Sequence, residues 1–401
     1  MKPEFELLVR ACGMARGLPV NRPVMQTTFP DNFDQKLFVD MAIQHKTATT
    51  AYAGLKKLGL SLEPEQAARL KRRAAEMRML RGLIVEEACK ITEALSAHGI
   101  PALVIKGPAL SLELYGNPYE REYNDLDILV NTKDVEPLFP LMTEAGYHVR
   151  DYYPTKNPDG SENRFLRRNH HLVFMYENDR FKVEIHDRIG WEEEIFPREN
   201  IDSIFSNSIV LKDEGKHFSS LPLSDHAPLL VAHGTEHGWC LLHWVLDAAA
   251  VFNLDDESLH RSIAARIRSL DLVCQLKLTC DLVQTLFPIE LPSSLKAVCF
   301  SSNNLKKPLQ LALRWLEGGG KEMDSSINHY IYFHILYEFP LFHGLKKKTA
   351  SIRKTFKIQP RDAQALPLPK PLMFLHFLFR PFFVASRRIK ANQHKRAKSH
   401  A

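Results

Sequence analysis

Paired cysteines, a leading apolar run and a charge surplus on the body of the chain are all missing from this sequence, and each absence removes a class of protein. The six cysteines (Cys12, Cys89, Cys240, Cys274, Cys280, Cys299) are scattered and include no C-x-x-C pair. Neither a disulfide framework nor a zinc cage is expected, and the thiols read as packing residues. Residues 1–20 carry Glu4, Glu6, Arg10 and Arg16 and sustain no apolar stretch, so a secretory signal is not expected and a cytoplasmic location is. The formal charge is +6, but Arg387, Arg388, Lys390, Lys395, Arg396 and Lys398 stand in an acid-free tail and equal that excess by themselves. The body is about neutral, which argues against a nucleic-acid partner, because tracking a phosphate backbone takes a basic stripe on the folded surface. No internal repeat or low-complexity segment is found.

What is present is enough apolar residue for a sizeable core: 45% of 401 positions, sufficient for two or three packed subdomains. Apolar side chains recur at helical spacing over 35–58 and 62–98, and again over 226–252 and 258–287. Between these regions the pattern changes. Ala102-Leu103-Val104-Ile105 is a short apolar run ended by Lys106-Gly107-Pro108, as in a buried strand feeding a helix. A second strand is expected at Leu126 to Val130 and a helix at Lys133 to Ala145, after which Gly146 turns the chain into Tyr147 to Arg150. A polar surface loop follows at 151–169. Strands His171 to Tyr176 and Phe181 to His186 then form a hairpin through Glu177-Asn178-Asp179-Arg180.

The chemistry sits in Asn124-Asp125-Leu126-Asp127-Ile128. Alternation places Asp125 and Asp127 on one face of a strand, roughly 7 Å apart, with Leu126 and Ile128 on the other. Adjacent carboxylates repel unless a cation lies between them, and magnesium favours one or two carboxylates together with substrate phosphate oxygens. Glu184 and His186 share a face of the hairpin strand, so a third acid converges if that strand is the neighbour. Two metals could then clamp the oxygens of a phosphoryl-type displacement. A solvated edge strand is the plainer alternative for the aspartate pair. Upstream, glycine at the N-cap and proline at the first helical position give a helix N-terminus suited to phosphate, with Lys106 as a point charge. A plain strand-to-helix turn is the competing reading there.

The segment Ile105 to Val130 (with Lys106-Gly107, Leu114-Tyr115, Arg121 and Asp125-Leu126-Asp127-Ile128-Leu129-Val130) resembles the bacterial uncharacterised nucleotidyltransferase family of the polymerase-beta-like nucleotidyltransferase superfamily. Gly146-Tyr147, Val183-Glu184-Ile185-His186, His233, His237, Trp239, Trp244 and Asp247 extend the resemblance over about residues 30–260. It implies an α+β fold: a small mixed nucleotidyltransferase sheet at 99–190, flanked by an N-terminal helical region (1–98), a helical domain packing on the core (191–300) and a C-terminal helical region (301–401). It also implies catalytic and metal-binding roles for Asp125, Asp127 and Glu184, with two Mg2+ ions, a nucleoside triphosphate as substrate and pyrophosphate release. The acceptor, whether small molecule, saccharide or peptide, is not specified. The sequence departs from the superfamily pattern in having no serine after Gly107, a long gap from Gly107 to Asp125, and glutamate rather than aspartate at 184.

Lys106, Gly107 and Arg121 are the expected nucleotide-binding residues. The guanidinium of Arg121 would clamp a phosphate oxygen bidentately, or else pair with Glu120 or Glu122 in solvent. His233 and His237, four apart on a helix, have zinc-pair spacing but no evident third ligand, and Gly234 stands where H-E-x-x-H has its acid. With His186 they are read as lining the site. Residues 371–385 are densely aromatic but too short to span a bilayer, and Arg380-Pro381 interrupts them. Burial against the body or in a dimer competes there with peripheral contact at the inner membrane face through 371–398. A non-catalytic scaffold or membrane-associated module that keeps the fold is the alternative function.

Overall fold

In this computed structural model the described residues are 1–20, 28–29, 32–151, 171–176, 181–188, 201–299, 305–320, 333–342 and isolated positions from 344 to 379. The hairpin turn at 177–180, the polar loop apart from Asp151, most of the aromatic segment and the whole basic tail lie outside them.

Helices α1 (Pro3–Ala15), α2 (Gln35–Gln44), α3 (Ala48–Leu58) and the 34-residue α4 (Pro64–Ala97) precede the first strand. The helical run expected over 35–58 is two helices. Asp34 caps α2 by accepting the Leu37 N–H, and the chain turns before α3 with Lys46 at a φ of 54°. Helices α1 and α3 cross closely enough that a Cβ on Gly54 would stand 1.9 Å from the Ala11 carbonyl oxygen. Gly54→Ala must therefore push the pair apart. The expected loss is about 1–3 kcal/mol of unfolding free energy, read as a lower urea midpoint at unchanged slope.

The sheet is built from β1 (Ala102–Ile105), β2 (Asp125–Val130), β3 (His148–Asp151), β4 (His171–Tyr176), β5 (Phe181–His186), β6 (Ile209–Asp213) and β7 (Lys216–Ser220), in the order β3-β4-β5-β2-β1-β7-β6. It is mixed: β2 runs parallel to β5 and β1 parallel to β7, while the other neighbours are antiparallel. Strands β6 and β7 fall after residue 190 and extend the same sheet beyond β1. Their hairpin turns at Glu214-Gly215, both at positive φ (44° and 83°), as a two-residue turn with right-handed strand twist demands.

Helices α5 (Gly107–Tyr115), α6 (Leu138–Glu144) and α7 (Ile201–Ser206) connect the strands. Proline accounts for the late start of α6. The helix expected from Lys133 begins only after Pro137, preceded by a single 3-10 turn at Thr132–Asp134. Further helices follow: α8 (Leu223–Glu236), α9 (Leu242–Phe252), α10 (Glu257–Ser269), α11 (Val273–Leu286), α12 (Ser293–Cys299) and α13 (Lys306–Glu317). The runs expected over 226–252 and 258–287 are each broken once, at Gly238-Trp239 and at Asp271, where the backbone turns left-handed.

Two faces of the sheet meet different partners. Val104, Leu126, Ile128, Val130, Val183 and Ile185 pack with Ile84, Ala88, Ile91 and Leu95 of α4 and with Leu138 and Met142 of α6. On the other face Leu103, Ile105 and Leu129 meet Ile204, Leu221 and Leu229. Helices α1 to α3 share one large core with the helices from α8 to α13. Among the described residues no helix is long and apolar enough to cross a membrane.

Candidate active site

Strand alternation delivers the acids to the less covered face. In β2 the residues Asp125, Asp127 and Leu129 point away from α4, and in β5 so do Lys182, Glu184 and His186. The parallel register sets Asp125 opposite Lys182 and Asp127 opposite Glu184. Glu184 is thus beside the aspartates on their own side of the sheet. Ligand atoms of Asp127, Glu184 and His186 lie within 4.8 Å of one another, which among the described residues is the one such group of three. Ligands around an octahedral ion of magnesium size stand about 3–4.2 Å apart, so small side-chain shifts would let this donor set close on a divalent cation.

Basic groups balance the acids. His186 Nε2 is 2.7 Å from Asp127 Oδ1, and Lys106 Nζ is 3.5 Å from the same oxygen. Lys182 Nζ donates to Glu184 Oε1 at 2.6 Å and lies 3.3 Å from Asp125 Oδ2. Asp125 is therefore held by Lys182 and stays outside the trio. Burial pushes the Asp127 carboxyl up, but Lys106 and His186 outweigh it and hold the pKa below the carboxylate range. Burial and the Asp127 charge likewise raise Glu184, while His186 and Lys182 bring it below its ordinary value. Both depressed carboxyls lend the fold stability that is whole above their unfolded values, near pH 4. That stability drains as pH falls through the lower folded values. Thermal melts between pH 6 and 2 should show a steeper acid loss for the wild type than for Asp127→Asn, and parallel curves would contradict it.

Lys106 ends β1 in a conformation L-residues avoid, with φ 56° and ψ −135°. Such a backbone costs about 1–3 kcal/mol and persists only when its neighbours hold it. Here the Lys106 N–H donates to His226 Nε2 at 3.2 Å, so the His226 proton sits on Nδ1 and is donated to the Glu113 carboxylate. Helix α5 starts at Gly107, one residue earlier than the proline position suggested, with Lys106 as its N-cap. The turn thus aims the Lys106 ammonium back over Asp127.

Arg121 is buried rather than solvent-paired. Its Nε donates to Asp247 Oδ2 of α9 at 2.6 Å, and the Tyr115 hydroxyl donates to Oδ1 at 2.8 Å. Burial works against the guanidinium charge, yet Asp247 more than offsets it and the Arg121 pKa rises. Glu120 pairs with Arg16, and Glu122 accepts the Thr49 N–H. His233 of α8 and His237, which caps that helix, stand with ring centroids 4.6 Å apart against Trp244, at 5.2 and 5.4 Å. Burial, then the charge of Lys106, drives the His233 pKa well down, so that ring is neutral at pH 7. This wall stands close enough to Lys106 and Arg121 to feel both charges, whereas the metal-type trio forms without it.

Two lysines escaped the sequence reading. Lys182 was legible, because it alternates with Glu184 and His186 and must share their face. Lys46 carried no signal: it arrives from the α2–α3 turn, where its Nζ donates to Asn124 Oδ1 at 3.0 Å. Burial lowers its pKa, while the nearby Asp125 works the other way.

A family model described as "Uncharacterised nucleotidyltransferase" matches residues 31–288. A search of curated proteins gave no match. Among solved structures, a crystal structure of an antigenic nucleotidyltransferase-like protein from Paracoccidioides brasiliensis is 13% identical. The alignment covers 54% of this chain and 94% of that one, and its TM-score of 0.29 is too low to support any residue correspondence.

Proposed function

We propose, from the premise that this chain belongs to the uncharacterised nucleotidyltransferase family, that it transfers a nucleoside monophosphate from a nucleoside triphosphate to an acceptor hydroxyl or phosphate. An acceptor oxygen would bond to the α-phosphorus as the bond to the pyrophosphate oxygen breaks, and the acceptor proton would pass to a carboxylate. The observation that carries this reading is the pairing of Asp127 with Glu184 across parallel strands, one strand away from the Lys106-Gly107 turn.

Asp127, Glu184 and His186 are the residues that would hold a divalent cation, with Asp125 beside them. When bound, such a cation neutralises phosphate charge and polarises the phosphoryl group as a Lewis acid. The protein's own groups do the rest. Lys106 and Lys46 present ammonium groups to the triphosphate, and the N-terminus of α5 favours negative charge there. Glu184, kept ionised by His186 and Lys182, is in the right state to take the acceptor's proton. The wall of neutral His233, His237 and Trp244 offers an apolar and hydrogen-bonding surface to whatever lies beyond the reacting phosphate.

Incubation with each α-labelled nucleoside triphosphate and a cell extract tests the reading, and label should move onto one acceptor. A protein that binds no triphosphate in the presence of magnesium or manganese would instead be a scaffold keeping this fold.

A further inference from the structure

We propose that the acidic face takes a single divalent cation of the manganese class, with His186 Nε2 as one ligand, and that the Lys182 ammonium stands where a second cation would otherwise sit. This rests on the reading above that the acids form a cation centre.

Lys182 keeps its side chain 37% exposed, yet its place is set by the strand. Strand pairing sets it directly across from Asp125, and its Nζ bridges Asp125 Oδ2 at 3.3 Å and Glu184 Oε1 at 2.6 Å. An ammonium between two carboxylates answers the same electrostatic need as a metal ion, and a dication placed beside it would meet like-charge repulsion in a partly buried site. The charges agree with one ion. Lys106, Lys182 and Lys46, which lies near Asp125, already set three positive charges against Asp125, Asp127 and Glu184. A single dication makes the centre positive by two, which suits a polyanionic ligand, whereas two would make it positive by four.

The remaining donors select the metal. Asp127 and Glu184 supply hard oxygens, but the third group within reach is an imidazole, whose Nε2 is 2.7 Å from Asp127 Oδ1 and 3.8 Å from Glu184 Oε2. Imidazole suits transition ions, while magnesium keeps an all-oxygen shell. With two carboxylates and phosphate oxygens making up the balance, manganese fits the mixed set. Such an ion would take the place of the His186–Asp127 hydrogen bond, with His186 Nε2 and Asp127 Oδ1 as the atoms that would hold it.

The test uses the full-length chain and Mn2+ alone. An electron spin resonance titration should find one tight ion per chain, and its spin-echo modulation should show a directly bound nitrogen. His186→Asn should remove that modulation and weaken Mn2+ by at least about tenfold while changing Mg2+ affinity little. Lys182→Gln should admit a second Mn2+. Two tight ions in the wild type, an all-oxygen shell, or a Lys182→Gln chain that still takes only one would each overturn the proposal and leave nucleotidyl transfer standing. Absence of any cation binding, even with a nucleoside triphosphate added, would overturn both.

Discussion

Asp247→Ala should lower the free energy of unfolding by about 3–5 kcal/mol, the cost of leaving one member of a buried ion pair without its partner. Asp247 is 1% exposed and Arg121 7%, so water cannot replace the lost carboxylate. The same substitution strands the Tyr115 hydroxyl, which donates to the other oxygen and whose ring carries the Arg16 guanidinium 3.9 Å above its centre. Asp247→Asn keeps the shape and an acceptor for Tyr115 and should cost less. Tyr115→Phe should cost about 1 kcal/mol. Urea denaturation of the three variants gives the ordering. Equal losses for Ala and Asn would mean that charge alone matters at this junction, where helix α9 grips the chain between α5 and β2, and that shape and the Tyr115 hydrogen bond do not.

Asp127→Asn should reduce label transfer by about a thousandfold, since removing a charged oxygen from a cation centre forfeits several kcal/mol of stabilisation and each 1.36 kcal/mol is a factor of ten. The amide still accepts a hydrogen bond from His186 but no longer answers the Lys106 charge. Far-ultraviolet circular dichroism should therefore be unchanged while activity is lost. Asp125→Asn should cost less than Asp127→Asn, because Lys182 already engages Asp125 and the aspartate lies outside the trio. Transfer at wild-type rate in the Asp127 variant would remove the proposed reaction centre.

The central strands could be read directly. Alternation in Asp125-Leu126-Asp127-Ile128 and in Lys182-Val183-Glu184-Ile185-His186 reports which side chains share a face, because a strand has no other way to place them. That β2 and β5 are parallel neighbours could not be read, as pairing is decided by the whole sheet and the β4–β5 hairpin adds antiparallel contacts that only limit the choice. Strands β6 and β7 were overlooked although Glu214-Gly215 is a hairpin signal. Ile209 to Asp213 lies along the sheet edge, half exposed, and lacks the apolar density that marked β1. The fate of Arg121 depended on Asp247, more than a hundred residues away, and burial of that kind leaves no local trace. Lys46 is the same lesson: only folding brings the α2–α3 turn to Asn124.

Helix α8 carries His226 at one point and His233 two turns later, roughly 10 Å along its axis. The first accepts the Lys106 N–H and the second belongs to the histidine–tryptophan wall. A rigid rod that touches both cannot shift at one end without straining the other. A ligand that displaced α8 at the wall would therefore be felt at the Lys106 turn, and by thermodynamic reciprocity an anion held at that turn would change the wall's affinity by the same factor.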